Sequence, residues 1–558
     1  MRHIKLIPII AVAAILLTSC GKKSSQGKMI PQDAAIIVDI NTKSLTSKLS
    51  WDEIKQTNWY SQLMSDSSIN QSHKMFLEDP KKTGIDLTAD ISMFATKPMQ
   101  GGEFVVVGTI KDSKAFAEFI KSMHSTAASK KEGDLNLLQS DKDVIGWNDN
   151  RFAFVTSTQK SEFGTSALQN DSITKTVPLS NTGDQLATYC KKLFSLKDDS
   201  SLYENEKFAK LVNEDGEVHF WMNAKTLASG NAAAGMMSML KIDKFLEDNI
   251  TTMSVNFEDG KITAKNKFYA GKELSDILKK NADGKMNKDL LKKISSQNIA
   301  AVVSMHFRPE SFIEMIKLMG LDGFINLMLA QQGISLDDFA KAIKGDMVYA
   351  FTDLVSKKDS TYNLNDSTGN ITLANTSGGT FLLATTIGDK DAFNKILSAA
   401  KKMGSDSAVK NTSQKNDDKL FVLSNKQDVM NNYFTNKETD HTFISRLSDH
   451  PFGGYIDVQM IMKTYQPKST DSAGLAMYQK SIAMWNNAYV TGGEFKDGGL
   501  ISNFEVNLID KTTNSLKQLN KYFDALSIIT KEEKKKHKAD VEIKDMPPQD
   551  SASGNNTK

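Results

Sequence analysis

Apolar runs of strand length alternate along this chain with stretches whose apolar residues recur at helical spacing. In "GEFVVVGTIKDSKAFAEFI" (102–120), Phe104 to Val107 form a strand-length run. A helix follows in which Phe116, Phe119, Ile120 and Met123 fall at i, i+3, i+4 and i+7, with Asp112 placed to cap its start. "GGTFLLATTIGDKDAFNKIL" (378–397) states the same strand and helix again: Phe104/Phe381, Thr109/Thr386, Ile110/Ile387, Asp112/Asp389, Ala115/Ala392 and Phe116/Phe393 are identical in one register. Phe116 and Phe393 are therefore expected at equivalent core positions.

The repetition extends outward with its order preserved. "DAAIIVDINTKSL" (33–45) matches "NIAAVVSMHFRPESF" (298–312), and "TGIDLTADISMFA" (83–95) resembles "QGISLDDFAKAIKGDMVYAF" (332–351). Further on, "GEVHFWMNAKTL" (216–227) pairs with "GGYIDVQMIM" (453–462), and "VNFEDGKITAKNKFY" (255–269) with "GEFKDGGLISNFEV" (493–506). The offset rises from about 266 to about 277 and then falls to about 238, which locates two insertions. Both are rich in Ser, Thr and Asn: 356–379, expected to be a long loop between strands, and the stretch around 156–185. The Asp-Gly pairs in "EDGK" and "KDGG" are hairpin turns, so antiparallel pairing is expected to dominate. The pattern predicts an α+β protein of two related halves, each a curved, mainly antiparallel sheet with helices packed on one side. "VDINTKSL" and "FWMNAKTL" add a weaker internal echo within the first half.

Arg2, His3 and Lys5 precede an apolar run from Leu6 to Leu17 that is too short to span a bilayer and reads as a signal peptide. The "LTSC" ending at Cys20 resembles the lipobox of bacterial lipoproteins. That resemblance implies that the Cys20 thiol carries a diacylglyceryl group and that the amine freed by cleavage is acylated as well. Several acyl chains hold a protein firmly where one holds it only marginally. By the sorting rules of such lipoproteins, Gly21 and the absence of an acidic cluster imply the outer membrane, facing the periplasm. The organisation expected is a signal peptide (1–19), the lipidated Cys20 with a flexible tether (20–29), a first half (30–290), a second half (291–530) and a charged, disordered tail (531–558). The opening "MIPQDAAIIVDINTKSL" after a lipobox, with the duplicated strand-helix body, resembles a bacterial lipoprotein family defined only as a domain of unknown function.

Bulk composition changes this picture little. With 558 residues, 40% apolar and 24% charged, the chain can build more than one core. Its 69 Lys+Arg nearly balance 67 Asp+Glu, so neither nucleic acid nor another polyanion is an expected partner. Cys190, the second of two cysteines, lies on an apolar helical face with Leu186, Tyr189 and Leu193 and is expected to be a small buried hydrophobe.

No zinc spacing, phosphate loop or nucleophile elbow occurs, so no catalytic residue, metal site or cofactor is predicted. Among the eight histidines only His441 and His450 are close in sequence, and His219 and His306 are expected to be structural. The Ser-Lys matches at 238–241 and 398–401 stand in the wrong order relative to "KTG" (82–84) for a serine-lysine acyl enzyme. Methionines gather in "GMMSML" (235–240) and in the apolar stretch 311–333, which is expected to split at its glycines into short helices that fill a core or line a groove. The function expected is a non-enzymatic envelope lipoprotein, a scaffold or binding module attached to the membrane through its acyl chains, with an envelope protein as partner. A carrier or chaperone for a hydrophobic ligand or peptide, and a periplasmic hydrolase with an unrecognised site, remain as alternatives.

Overall fold

The computed structural model describes residues 26–544 apart from breaks at 68, 70, 99–100, 124–128, 159–181, 230–244, 283, 362–371, 404–411, 436–437 and 467–471. Ten strands come from the first part of the chain: β1 (Ile36–Ile40), β2 (Ile91–Ala95), β3 (Glu103–Thr109), β4 (Ser129–Glu132), β5 (Leu135–Gln139), β6 (Asp143–Trp147), β7 (Arg151–Ser157), β8 (Val218–Asn223), β9 (Ile250–Glu258) and β10 (Lys261–Tyr269). Eight follow: β11 (Ile299–His306), β12 (Ile343–Thr361), β13 (Thr372–Ile387), β14 (Ser413–Asn416), β15 (Leu420–Ser424), β16 (Phe452–Ile456), β17 (Trp485–Lys496) and β18 (Gly499–Leu508).

Every pairing is antiparallel, and the 18 strands make one sheet in which β10 pairs with β18. Outward from that seam run β9, β8, β1, β2, β3, β7, β6, β5 and β4 on one side, and β17, β16, β11, β12, β13, β15 and β14 on the other. The expectation of a separate sheet in each half is thereby corrected. β10 and β18 are each the last strand of a hairpin, with β9 and with β17, and pairing their free edges satisfies the backbone groups there. The β17–β18 turn uses Asp497 (φ 53°) and Gly498 (φ 82°), the left-handed pair that a tight two-residue hairpin requires.

Helices cover both faces, not one. On the outer strands apolar residues occupy consecutive positions, so both faces need cover. Val105 and Val107 join a core with Leu186, Cys190, Leu193, Phe208 and Trp221, whereas Val106 turns to Phe116 and Ile120 on the opposite face. In the second part Val422 packs with Leu382, Tyr433 and Leu447, and Leu423 with Phe393. Phe116 is 1% exposed and Phe393 7%. Asp112 accepts hydrogen bonds from the Lys114 and Ala115 amides, and Asp389 from the Ala392 amide, so both helices start on an aspartate cap.

Three further expectations need correction. The stretch 356–379 is largely strand: β12 and β13 pair from Val355↔Gly378 out to Thr361↔Thr372 as a two-stranded ribbon, because its Thr-rich sequence suits the extended backbone. Residues 26–29 of the expected tether form a 3-10 turn that buries Met29 and leads into the fully buried Ile30. Residues 531–544 continue the helix Ser515–Lys544, in keeping with the helix propensity of Lys and Glu, so no tail begins at 531. That helix starts at the sheet, where Asn514 Nδ2 donates to Phe257 O at 2.8 Å, and then lies along helices of the first part. Lys517 pairs with Glu53 at 2.7 Å, Trp59 Nε1 donates to Asn520 at 3.0 Å, and Asp524 accepts from the Trp59 amide. On its other side Tyr522 meets Ser481 at 2.7 Å and the Trp485 ring. No helix among the described residues is long and apolar enough to cross a membrane.

Candidate binding cleft at the seam

Residues directly opposite one another on neighbouring strands share a face of the sheet. Ser92, Asp39, His219, Ser254, Lys265 and Asn503 lie opposite one another in turn across β2, β1, β8, β9, β10 and β18, so they form one polar row. It runs on the face that carries the two large cores. Under the first core the row is sealed, with Ser92, Asp39, His219 and Ser254 each at most 4% exposed. At the seam neither core reaches across, and Lys265 and Asn503 are open to solvent.

The result is a cleft of about 530 Å³ between the cores. Its floor is Ser254, Asn256, Thr263, Lys265, Asn503 and Glu505, its first wall is Asn213–Asp215, and its second is Arg446. The first wall follows helix Glu206–Val212, whose buried Phe208 and Leu211 anchor it in the core. Arg446 projects from helix Ile444–Ser448, held by the buried Ile444 and Leu447.

The first wall and the floor each carry a carboxylate fixed by cations. Glu214 accepts hydrogen bonds from Ser254 Oγ at 2.5 Å and Lys267 Nζ at 3.1 Å, and Lys265 Nζ stands 3.5 Å away. Burial alone would raise its pKa, but those hydrogen bonds and the two ammonium charges outweigh it, so Glu214 sits below the usual glutamate value. Glu505 is held low first by the hydrogen bond from Arg446 Nη1 at 2.8 Å, with Asn507 donating a second at 2.8 Å. The Arg446 guanidinium also lies 4.0 Å from the centre of the Tyr489 ring. Opposite charges are thus matched within the cleft. What it presents to a ligand is a floor of amides and hydroxyls with the exposed Lys265 ammonium and, from the first wall, the exposed Asp215 carboxylate.

The sealed part of the row resembles a catalytic set only in composition. Ser92 Oγ donates to Asp39 Oδ1 at 2.5 Å, His219 Nδ1 lies 3.6 Å from Asp39 Oδ2, and His219 Nε2 donates to Glu214 O at 3.0 Å. Burial and the Asp39 charge push Asp90 up to about 6. For His219, burial lowers the pKa, but Asp39 and the Glu214 carbonyl raise it further, so it lies above the usual histidine value. Ser92 is 0% exposed, and its hydroxyl is committed to Asp39 and not to the imidazole. No reactant reaches it.

His306 bonds Asp346 at 2.9 Å. His441 stacks on Phe443 and bonds Ile294 O at 3.2 Å, while His450 bonds Glu494, so the two histidines closest in sequence serve different neighbours. Cys190 is fully buried, its thiol pushed up to about 12 by burial, and a Cβ on Gly146 would come within 2.5 Å of its sulfur. Cys20 and the Met-rich 235–240 lie outside the described residues. The apolar stretch 311–333 splits at Gly320 into helices Pro309–Leu318 and Asp322–Ala330, whereas Gly323 lies within the second helix, and Phe324, Leu327 and Met328 are 63%, 65% and 56% exposed, not core. The cleft residues Glu214, Lys265, Arg446, Asn503 and Glu505 carry no motif, and only the β10–β18 pairing brings them together.

Compared with known proteins, the chain matches over residues 27–446 a family model described as "Domain of unknown function (DUF4836)". No curated protein matches it. Two solved structures, crystal forms IV and I of TP0453, are 10% identical to it with TM-scores of 0.24. They cover 43% and 44% of this chain and 79% and 78% of their own.

Proposed function

The chain belongs to the DUF4836 family, and from that premise we propose that it is a non-enzymatic, lipid-anchored binding module of the cell envelope whose two halves are copies of one unit and together form one ligand cleft. The observation that carries the binding role is the cleft itself, which takes Glu214 and Lys265 from one half and Arg446, Asn503 and Glu505 from the other. Its chemistry suits an uncharged or zwitterionic polar ligand that both donates and accepts hydrogen bonds.

Duplication is supported by the seam. The register pairs Lys265 with Asn503, and these two are about 238 residues apart, the same offset at which "VNFEDGKITAKNKFY" aligns with "GEFKDGGLISNFEV". A strand that pairs antiparallel with its own counterpart about one such residue pair has the geometry of a two-fold dimer joined into one chain. The order β10-β9-β8-β1-β2-β3-β7 on one side is matched by β18-β17-β16-β11-β12-β13-β15 on the other. Asn148 and Asp417 cap the turns before β7 and β15 in the same way.

The anchor rests on the "LTSC" signal at Cys20, and mass spectrometry of the mature N-terminus from native membranes tests it: an unmodified cysteine refutes it. For the cleft, a photo-crosslinking residue at Asn503 in the native envelope is expected to capture one chemical class of ligand, and Arg446→Ala to abolish the capture. Adducts no different from those at the exposed edge residue Ser129 would overturn the reading.

A second reading, a carrier for a hydrophobic ligand, is favoured by the opposite face of the seam. There Phe504 and Ile456 are 43% and 45% exposed, and Phe220, Met253, Val255 and Val506 are only partly covered. Displacement of a fluorescent fatty acid at stoichiometric protein would support it, and its absence would leave the polar cleft as the site.

A further inference from the structure

Helix Asp322–Ala330 is apolar around most of its circumference, and its Asn326 accepts a hydrogen bond from the Leu336 amide on the side away from Phe324. Its inner residues Ile325 and Leu329 pack on Ile313, Ile316 and Leu336, which leaves Phe324, Leu327 and Met328 on the outer side with more than half of each exposed. An ordinary surface helix turns charged residues outward. Here no charged residue occurs between Asp322 and Asp337, so nothing on that face needs its hydration kept.

We infer that this helix is a second membrane contact, which lays Phe324, Leu327 and Met328 into the headgroup–acyl boundary of the bilayer that holds Cys20. The inference rests on the anchor reading above. Only residues 20–25 separate the acylated cysteine from the packed turn at Gln26, a leash of roughly 20 Å at full extension. On so short a leash the body stays at the bilayer surface, where a patch too weak to bind from free solution is held at high effective concentration. Size argues against a second copy as the cover. With Phe312, 41% exposed, the patch offers on the order of 400 Å², about half of what each partner gives to a stable dimer. An interfacial helix needs no more than such a stripe.

The test uses Leu327→Cys carrying an environment-sensitive fluorophore. Cys190 is buried and its thiol protonated, so it does not compete for the label. The acylated protein is placed in vesicles of phosphatidylethanolamine and phosphatidylglycerol that contain lipids with nitroxide-labelled tails. The expected result is several-fold stronger quenching at 327 than from the same label at Ser129 on the exposed edge strand β4, and Phe324→Glu should reduce it to the Ser129 level without changing thermal unfolding. Equal quenching at both positions overturns the inference. Water exclusion around the label that grows with protein concentration in the absence of vesicles overturns it in favour of a second copy. Mass spectrometry of Cys20 separates the two failures: an unacylated cysteine overturns the anchor reading and this inference with it, whereas equal quenching on a chain shown to be acylated overturns this inference alone.

Discussion

Glu214→Gln tests the electrostatics of the cleft directly. The amide keeps an acceptor for Ser254 but removes the charge that holds Lys267, whose side chain is only 7% exposed. Its remaining partner is Asp497 at 3.8 Å, itself 55% exposed and therefore screened. Breaking a fully buried pair costs about 3–5 kcal/mol. Because Asp497 still helps and the Glu214 side chain is 20% exposed, we expect about 2–3 kcal/mol here. Lys267→Met leaves Glu214 with Ser254 and with Lys265 at 3.5 Å, and should cost about 1 kcal/mol. In the double variant no buried ammonium is left unpaired, so its loss should lie near that of Lys267→Met alone, a coupling of about 2–3 kcal/mol.

Native-state hydrogen exchange of the β9 and β10 amides is the assay, since it reads the seam locally without assuming that so long a chain unfolds in one step. The pH dependence has a definite sign. Glu214 lies below its reference value of 4.5, so its contribution is fully present above 4.5 and is lost as pH falls through the folded value. Lys267 is shifted above 10.5, because the hydrogen bond and charge of Glu214 outweigh the burial that would lower it. Its contribution is present below 10.5 and is lost as pH rises through the folded value. The gap between wild type and Glu214→Gln should be widest between these limits. A loss under about 0.5 kcal/mol, or a gap independent of pH, would refute the reasoning.

Phe116→Ala removes a ring packed on Phe152, Trp147 and Phe119 and should cost about 4–5 kcal/mol, whereas Phe393→Ala, packed on Phe421 and slightly more open, should cost about 3; urea unfolding of the two variants checks the order. Excising 357–376 leaves Val355 opposite Gly378 with Ser356 and Ser377 as a two-residue turn, so the shortened ribbon should melt with unchanged cooperativity, and a lost transition would show that the ribbon is needed for the fold. Glu53 is held down at about 2, first by its hydrogen bond from Lys517. Docking of helix Ser515–Lys544 on residues 51–65 should therefore be protected above 4.5 and loosen as pH falls toward 2, and amide exchange in that helix should lose this pH dependence in Lys517→Ala.

The sequence disclosed the elements that obey local rules. The Phe116 and Phe393 helices, their aspartate caps, the Asp-Gly hairpins and the antiparallel habit all follow from spacing and turn chemistry. Where contacts are remote it was silent. Nothing in "KITAKNKFY" or "LISNFEV" announces that these two strands pair, because bare edges attract one another through backbone groups that every sequence has. The cleft, which exists only through that pairing, was hidden for the same reason. The ribbon was misjudged because polar Thr and Ser stretches fit an exposed ladder as well as a loop. The exposed face of Asp322–Ala330 was hidden because an apolar sequence cannot say which side of a helix has a neighbour.

One consequence of the seam concerns the order in which the chain is made. β10 is complete when residue 269 has been synthesised, but its partner β18 begins only at Gly499. Throughout that interval β10 is the outermost strand of a half-built sheet, open to any other strand that meets it. It carries Lys261, Lys265 and Lys267, the residue type by which lasting sheet edges repel strangers. In the finished protein two of them serve the carboxylate of Glu214 and the third stands near Glu505. The strand destined for the middle of the molecule thus carries, until β18 arrives, the composition of a protected edge.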